Sequence, residues 1–527
     1  MDWLRRNPAY FGLVMIILLG AFLRFYTIGA KTIWLDEAFS IWVADHSLLS
    51  GWSWLIRIDQ HPPLYYSLLH FWQMLFGDEQ GTVRAFSALC STLTIPFFYG
   101  ASRRWTDTRT ALMAAFLLAI SPIHVRYAQE TRMYALLTLG VAIALYFLAR
   151  LLFDPRARRA RLVLLGLATA EAAVMLTHNT ATVFFPLALN GAIGGVLLWK
   201  YTQGGVSSLP ALNDPAFERR WLRTQLLAFA IWLPWSIFFV RQTIRVDQEF
   251  WLWAPDLSRV SEVLYNFNAA FLPTGFPGQP WWHLLYWALA LYGIYSLRRK
   301  PACGILLLTF FLTPIIGELL VSLRRPIFYE RTLLWATLPY YLLLAAGLRT
   351  LAGKIEFNPS AALANALGRT GQRVRVEFAI QALTLAIVIT LSGFALTGYY
   401  QDFQKEDWAK AADYVAQNIA PNDLILFNAT WVQLPFEYYF RHYNTAAELR
   451  GLPVDLFDRG VLEPKMTQAD IPYMDTLLAN RAQVWLVYSH DWYTDPNQII
   501  PRQLDQSMRQ TEQRAFVGLQ VMRYEQR

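Results

Sequence analysis

The 527-residue chain is 55% hydrophobic and 15% aromatic, with 16% charged residues and a net charge of +8. A soluble domain carries nearer a quarter charged residues, so recurring long apolar runs mark a polytopic membrane protein and exclude an ordinary soluble enzyme. The positive excess sits in particular loops, so it reports topology and not nucleic-acid binding.

The first apolar run, 9–28, follows Arg5 and Arg6 and is longer than a secretory signal core, which makes it a retained span. Behind it, the Lys31–Tyr66 stretch carries Asp36, Glu37, Asp59 and His61. Leu35, Ala38, Phe39 and Trp42 recur at i, i+3, i+4, i+7, one apolar helical face. Asp36 and Ser40 fall at its margin and Glu37 points away, which predicts a helix lying in the membrane interface. Either acid could simply be a solvated edge, and His61 could simply bond a neighbouring carboxylate. Their crowding into one loop argues for a shared site. The apolar piece 62–77 opens on Pro62-Pro63, which suits a helix start.

Further spans are expected at 82–101, 109–125, 133–153, 162–178, 180–199, 224–240, 283–297, 302–323, 331–349 and 376–398. The run 109–125 is the weakest, crowded by Pro122 and Arg126. Cys90 and Cys303 lie in apolar runs far apart, which argues against a disulfide. Basic clusters stand near positions 5, 103, 156, 219, 298 and 369. If 62–77 does not cross, all of them face the cytoplasm, as the positive-inside rule requires; if it crosses, all but the first face outward. The expectation is therefore eleven spans, with 62–77 a second interfacial helix and the C-terminus outside.

That topology leaves two arginine groups on the side the rule disfavours. Arg126 and Arg132 share 121–132 with Glu130, and Tyr134 follows; Arg324, Arg325 and Arg331 share 324–331 with Tyr329. Snorkelling or ion pairs with Glu130 and Glu330 would be the plain explanation. Two guanidinium groups flanking an acidic helix also suit a lipid phosphate. His178 reads first as a hydrogen-bonded core histidine. With Asp36, Asp59 and His61 it leaves a divalent metal open, although no metal-binding spacing is present. Residues 399–527 change character: a helix from Asp407 to about Ile419, strands at 424–427, 484–488 and 516–524, hence a small outer α/β domain following a 1–398 membrane domain.

The segments W-L-D-E, D-Q-H-P-P-L-Y-Y, S-P-I-H-V-R-Y-A-Q-E-T-R-M-Y and P-I-F-Y-E-R-T-L, in this order, resemble bacterial glycosyltransferase family 39. That group is similar to dolichyl-phosphate-mannose protein mannosyltransferases and to lipid A aminoarabinose transferases. The resemblance implies a GT-C membrane fold in the inner membrane, all-α with interfacial helices in the first outer loop. It implies an extracytoplasmic site and a polyprenyl-phosphate sugar donor. It places a catalytic aspartate at Asp36 beside Glu37, Asp59 and His61 before the Pro pair, and donor-phosphate arginines at Arg132 and Arg331, then Arg126 and Arg324. The acceptor, whether lipid, glycan or protein, stays open. Leu-Tyr-Tyr after H-P-P, where the protein mannosyltransferases carry Gly-Lys, speaks against protein mannosylation. A lipid-linked sugar flippase would need charges near the bilayer midplane, and a ligase or polymerase would differ only in using a diphosphate-linked donor.

Overall fold

The computed structural model describes residues 8–154, 161–203, 209–245, 254–351, 376–458 and 464–527. Helix α1 (Pro8–Phe25) leads to three short helices, α2 (Leu35–Asp45), α3 (Leu48–Ile58) and α4 (Leu64–Phe76). Then come α5 (Gln80–Trp105), α6 (Thr108–Ala119), α7 (Pro122–Ala128), α8 (Tyr134–Phe153), α9 (Arg161–Met175) and α10 (Asn179–Thr202). The membrane part closes with α11 (Phe217–Trp232), α12 (Ser236–Arg245), α13 (Leu257–Ala269), α14 (Gln279–Ser296), α15 (Pro301–Ser322), α16 (Thr337–Leu351) and α17 (Val376–Gln401).

Helices thus stand on every stretch expected to span. Among the described residues six are long and apolar enough to cross a membrane, seven counting α6 with α7 as one bent pair. The chain is a multi-pass membrane protein. The expected span 109–125 is broken: α6 and α7 meet at 57°. Pro122 has no N–H to continue α6, so the chain stops and restarts with the proline at the head of α7. The buried Arg24 of α1 satisfies the freed carbonyls, donating to Leu118 O at 3.1 Å and Ala119 O at 3.0 Å. The run 331–349 becomes regular helix only from Thr337. At 13 residues, α4 is ~20 Å long, too short for a ~30 Å hydrocarbon layer, as its non-crossing assignment requires.

Every residue of α16 from Thr337 to Leu348 is buried, so this helix is the axis of the bundle. It lies against α14 with backbones in contact: a Cβ on Gly293 would stand 2.0 Å from Leu343 O, and one on Gly347 2.0 Å from Leu289 O. Glycine is required at both positions.

After α17 follow α18 (Trp408–Asn418), β1 (Leu424–Asn428), α19 (Gln433–Phe440), β2 (Glu448–Gly451), α20 (Ile471–Leu478), β3 (Gln483–Tyr488), α21 (Asp491–Thr494), α22 (Ile499–Ser507), β4 (Met508–Phe516) and β5 (Leu519–Gln526). The sheet order is β2-β1-β3-β5-β4. β2 and β3 run parallel to β1, and β5 returns antiparallel to β3. β1 is buried along its whole length, which explains its unbroken apolar run. The expected single strand 516–524 is instead the second half of a hairpin. Gly518, with φ +81°, makes the turn between β4 and β5, and β4 is polar because its side chains are exposed.

Candidate active site

One end of the bundle and the sheet domain enclose a cavity of about 380 Å³. Its floor comes from the first loop and α7, one side from Tyr329 and Arg331, and its roof from Trp431, Leu434, His490, Trp492 and Tyr493.

Asp36 lies in the first turn of α2, where a carboxylate is favoured by the helix dipole. Arg331 Nη1 donates to its Oδ2 at 3.0 Å, and Arg132 Nε stands 3.8 Å from the same oxygen. Arg132 Nη1 also reaches Asp36 O, Ser40 Oγ and Tyr66 Oη at 3.2–3.4 Å. Burial pushes the Asp36 carboxyl up, but Arg132, Arg331 and His61 together outweigh it and hold it below the usual carboxylate range.

Asp59 and His61 form a second unit on the same floor. His61 Nδ1 donates to Asp59 Oδ1 at 3.0 Å, and Tyr66 donates to Oδ2 at 3.0 Å. Burial opposes ionisation of Asp59, yet the His61 interaction and Arg132 bring its carboxyl down to about 2. Behind them, His178 packs its ring 5.1 Å from that of His61, and its Nδ1 accepts from Thr180 N at 3.2 Å, capping α10. It is the hydrogen-bonded core histidine of the plain reading. Among the described residues no group of three or more His, Cys, Asp or Glu is placed to hold a metal ion.

Arg126 also borders the cavity, but its charge is spoken for. Glu130 Oε1 lies 3.4 Å and Glu330 Oε1 3.6 Å away, and the rings of Tyr127, Phe271 and Phe403 surround the guanidinium at 5.0–5.5 Å. Tyr329 presents its ring to Arg331 at 4.9 Å and to Arg259 at 4.1 Å, and the Tyr134 ring lies 5.9 Å from Arg331.

Two expected residues fall elsewhere. Arg324 is exposed and outside the cavity lining. Glu37 does not face solvent. It is fully buried behind Asp36, with Arg84 donating to both its oxygens at 2.7 Å, Lys405 Nζ at 2.8 Å and Thr131 N at 2.9 Å. Accordingly α2 buries Glu37, Ala38, Ser40, Ile41, Val43 and Ala44 and leaves Leu35, Phe39 and Trp42 half-exposed, with Leu35 and Phe39 turned to the cavity. Of the apolar stripe read from the sequence only Ala38 is fully buried, because ionic partners from distant segments also draw the Glu37 side into the protein.

The roof was not foreseen. It follows a rule that the recognised strands already obeyed: ligands gather outside the carboxyl ends of parallel strands. Trp431 follows β1, and His490, Trp492 and Tyr493 follow β3. His490 holds φ +54°, an uncommon conformation for a residue with a side chain. Ser489 Oγ donates to Gly518 O at 2.8 Å, so it accepts from His490 Nδ1 at 3.0 Å, and the ring turns Nε2 toward Glu406 Oε1 at 3.4 Å.

Residues 60–203 match the family model of the dolichyl-phosphate-mannose-protein mannosyltransferases. Among solved structures the chain is similar to ArnT from Cupriavidus metallidurans in the apo state: TM-score 0.60, 16% identity, 98% of each chain covered. The fold is of the GT-C type. The same ArnT bound to undecaprenyl phosphate gives TM-score 0.58 at 15% identity, with 97% of each chain covered. The archaeal oligosaccharyltransferase AglB from Archaeoglobus fulgidus, solved with an inhibitory peptide and a dolichol-phosphate, gives TM-score 0.58 at 12% identity, with 99% of this chain and 74% of that one covered. A search of the curated proteins returns no match. The small sheet domain lies inside the GT-C likeness, since the ArnT match runs over almost the full length.

Proposed function

We propose that this GT-C chain is a membrane glycosyltransferase that moves a sugar from a polyprenyl-phosphate donor to an acceptor hydroxyl on the extracytoplasmic face, with inversion. One observation carries the reading: an ionised aspartate, Asp36, meets two guanidinium groups, Arg331 and Arg132, in a cavity at one end of the membrane bundle. Support also comes from the family match and from the polyprenyl phosphates bound in the ArnT and AglB structures.

In the proposed step the acceptor oxygen attacks the anomeric carbon while the bond from that carbon to the phosphate oxygen breaks. The hydroxyl proton passes to Asp36. The phosphate leaves as an anion, needing no proton, with its charge held by Arg331 and Arg132. Arg132 Nε is buried and makes no hydrogen bond among the described residues, so a donor remains unspent there. Asp59, fixed by His61 and Tyr66, orients sugar hydroxyls. The extracytoplasmic placement rests on the positive-inside rule applied to the basic clusters: Arg104 and Arg150 lie in the last turns of α5 and α8, and Arg150 sits at the end of α8 away from Arg132 of the cavity.

The test is transfer of label from radiolabelled polyprenyl-monophosphate sugars, in purified protein with membrane extract as acceptor source. Label should move to an acceptor and stay on the donor with Asp36→Asn. Normal turnover in that variant, or no transfer from any monophosphate donor, would overturn the reading.

A further inference from the structure

At the opposite end of α16 from Arg331 lies a second cavity, of about 390 Å³. Four cationic side chains border it, Arg298, Arg299, Lys300 and Arg349, with a single acid, Asp107. That acid is already spent. Asp107 caps α6: its Oδ1 accepts from Arg109 N at 2.9 Å and Thr110 N at 3.1 Å, and its Oδ2 from Thr110 Oγ at 2.6 Å.

The four cations are answered less well, Arg349 feeling the Asp107 carboxylate only from beyond ion-pair distance. Among the described residues none of them makes an ion pair within 4.0 Å. Arg349 Nε is buried and makes no hydrogen bond among the described residues. Lys300 Nζ has only a long contact to Thr106 O at 3.4 Å, and Arg298 rests on the Tyr295 ring at 3.9 Å.

A topological surplus of positive charge does not explain this. Other arginines at the same end of the bundle have found carboxylates: Arg104 and Arg150 share Asp154 at 3.4 and 3.8 Å, and Arg220 pairs with Asp214. Here the charges converge on one open cavity with four hydroxyl side chains among its lining residues, and among the described residues Asp107 is the single acid that borders it. Like charges held together at short range cost free energy unless an anion joins them. Guanidinium forks, an ammonium and hydroxyls are the donor set that suits the tetrahedral oxygens of phosphate. Basic pockets between helix ends at a membrane surface take lipid headgroups of this kind.

We propose that this cavity binds a phosphate-bearing anion on the membrane face opposite the Asp36 pocket. Two sources share that chemistry, the headgroup of an anionic phospholipid and a soluble phosphate compound. The site stands independently of the transferase reading, since it shares no residue with the Asp36 pocket.

The experiment uses the purified full chain and follows its thermal unfolding and its binding to vesicles. One series compares phosphatidylcholine vesicles with and without phosphatidylglycerol. A second compares inorganic phosphate with chloride at matched ionic strength. Arg298→Gln with Arg299→Gln alters exposed side chains and leaves packing intact, and Arg349→Gln removes the half-buried guanidinium. Arg109→Gln removes an exposed charge outside the cavity.

Phosphatidylglycerol should raise the midpoint of the wild type, and the cavity variants should weaken apparent affinity at least tenfold while Arg109→Gln does not. A shift by inorganic phosphate, lost in the same variants, would assign the site to a soluble ligand. No shift with either anion, or an equal loss with Arg109→Gln, would overturn the proposal.

Discussion

Asp36 and Glu37 are adjacent in the chain and live in opposite worlds. Every lone-pair direction of Glu37 is used, and Arg84 spends its remaining N–H groups on the carbonyls of Ile28, Lys31 and Thr32 at 2.6–3.1 Å. The cluster joins the first loop to α5 and, through Lys405, to the segment that enters the sheet domain. Asp36 keeps 27% of its side chain exposed and shares one oxygen between two arginines. A carboxylate with all its partners in place is structure; one that is half-answered beside a cavity is available for chemistry.

Four substitutions break or sharpen that contrast. Asp36→Asn keeps the shape and removes the proton acceptor, so turnover should fall ~10²–10⁴-fold. Its unfolding midpoint should stay near wild type; a collapsed midpoint would make Asp36 a second structural acid.

Glu37→Gln should do the reverse. Leaving Arg84 and Lys405 without their anion should cost ~3–5 kcal/mol of stability, read by thermal unfolding, with activity lost only as fold is lost. The pH dependence has a definite sign. Burial raises the Glu37 carboxyl, but Arg84 and Lys405 outweigh it and bring it down to about 2 from 4.5. The stabilisation is complete above pH 4.5 and disappears as the pH falls through about 2. Glu37→Gln should flatten that acid limb, and an unchanged limb would count against the buried pair as its source.

Arg331→Lys comes next in size. An ammonium cannot reproduce the planar fork, so donor KM should rise about tenfold, near 1.4 kcal/mol, with acceptor KM unmoved. Smallest is Trp492→Ala in the roof. This 56% exposed ring should change acceptor KM a few-fold and leave the donor untouched. A larger effect on donor KM than on acceptor KM would place the donor, and not the acceptor, against the roof.

How much of this the sequence disclosed follows from range. The helices on apolar runs, the short helix α4 and the strands β1 and β3 are local signals, and they are where they were expected. Asp36, Asp59, His61, Arg132 and Arg331 meet as expected, since each sits in a short charged motif at the end of an apolar run. Glu37 was misplaced because its partners lie 47 and 368 residues away, and no local periodicity records them. Arg84 carried a usable sign, a lone charge at the head of an apolar run. The roof needed sheet order, and β2, four residues long and only half-buried, carries too little pattern to supply it.

One feature of the Asp36 pocket bears on turnover. Around it Asp36, Asp59, Glu130 and Glu330 answer Arg126, Arg132, Arg259 and Arg331, four charges of each sign. In the proposed reaction an arriving phosphate finds one unspent donor, Arg132 Nε, and has to take Arg331 from Asp36. Docking of the leaving group and release of the base become a single exchange, and the vacated pocket restores its own neutrality when the carrier departs. On the proposed mechanism an idle site keeps its proton acceptor clamped, which guards against spending the sugar on water.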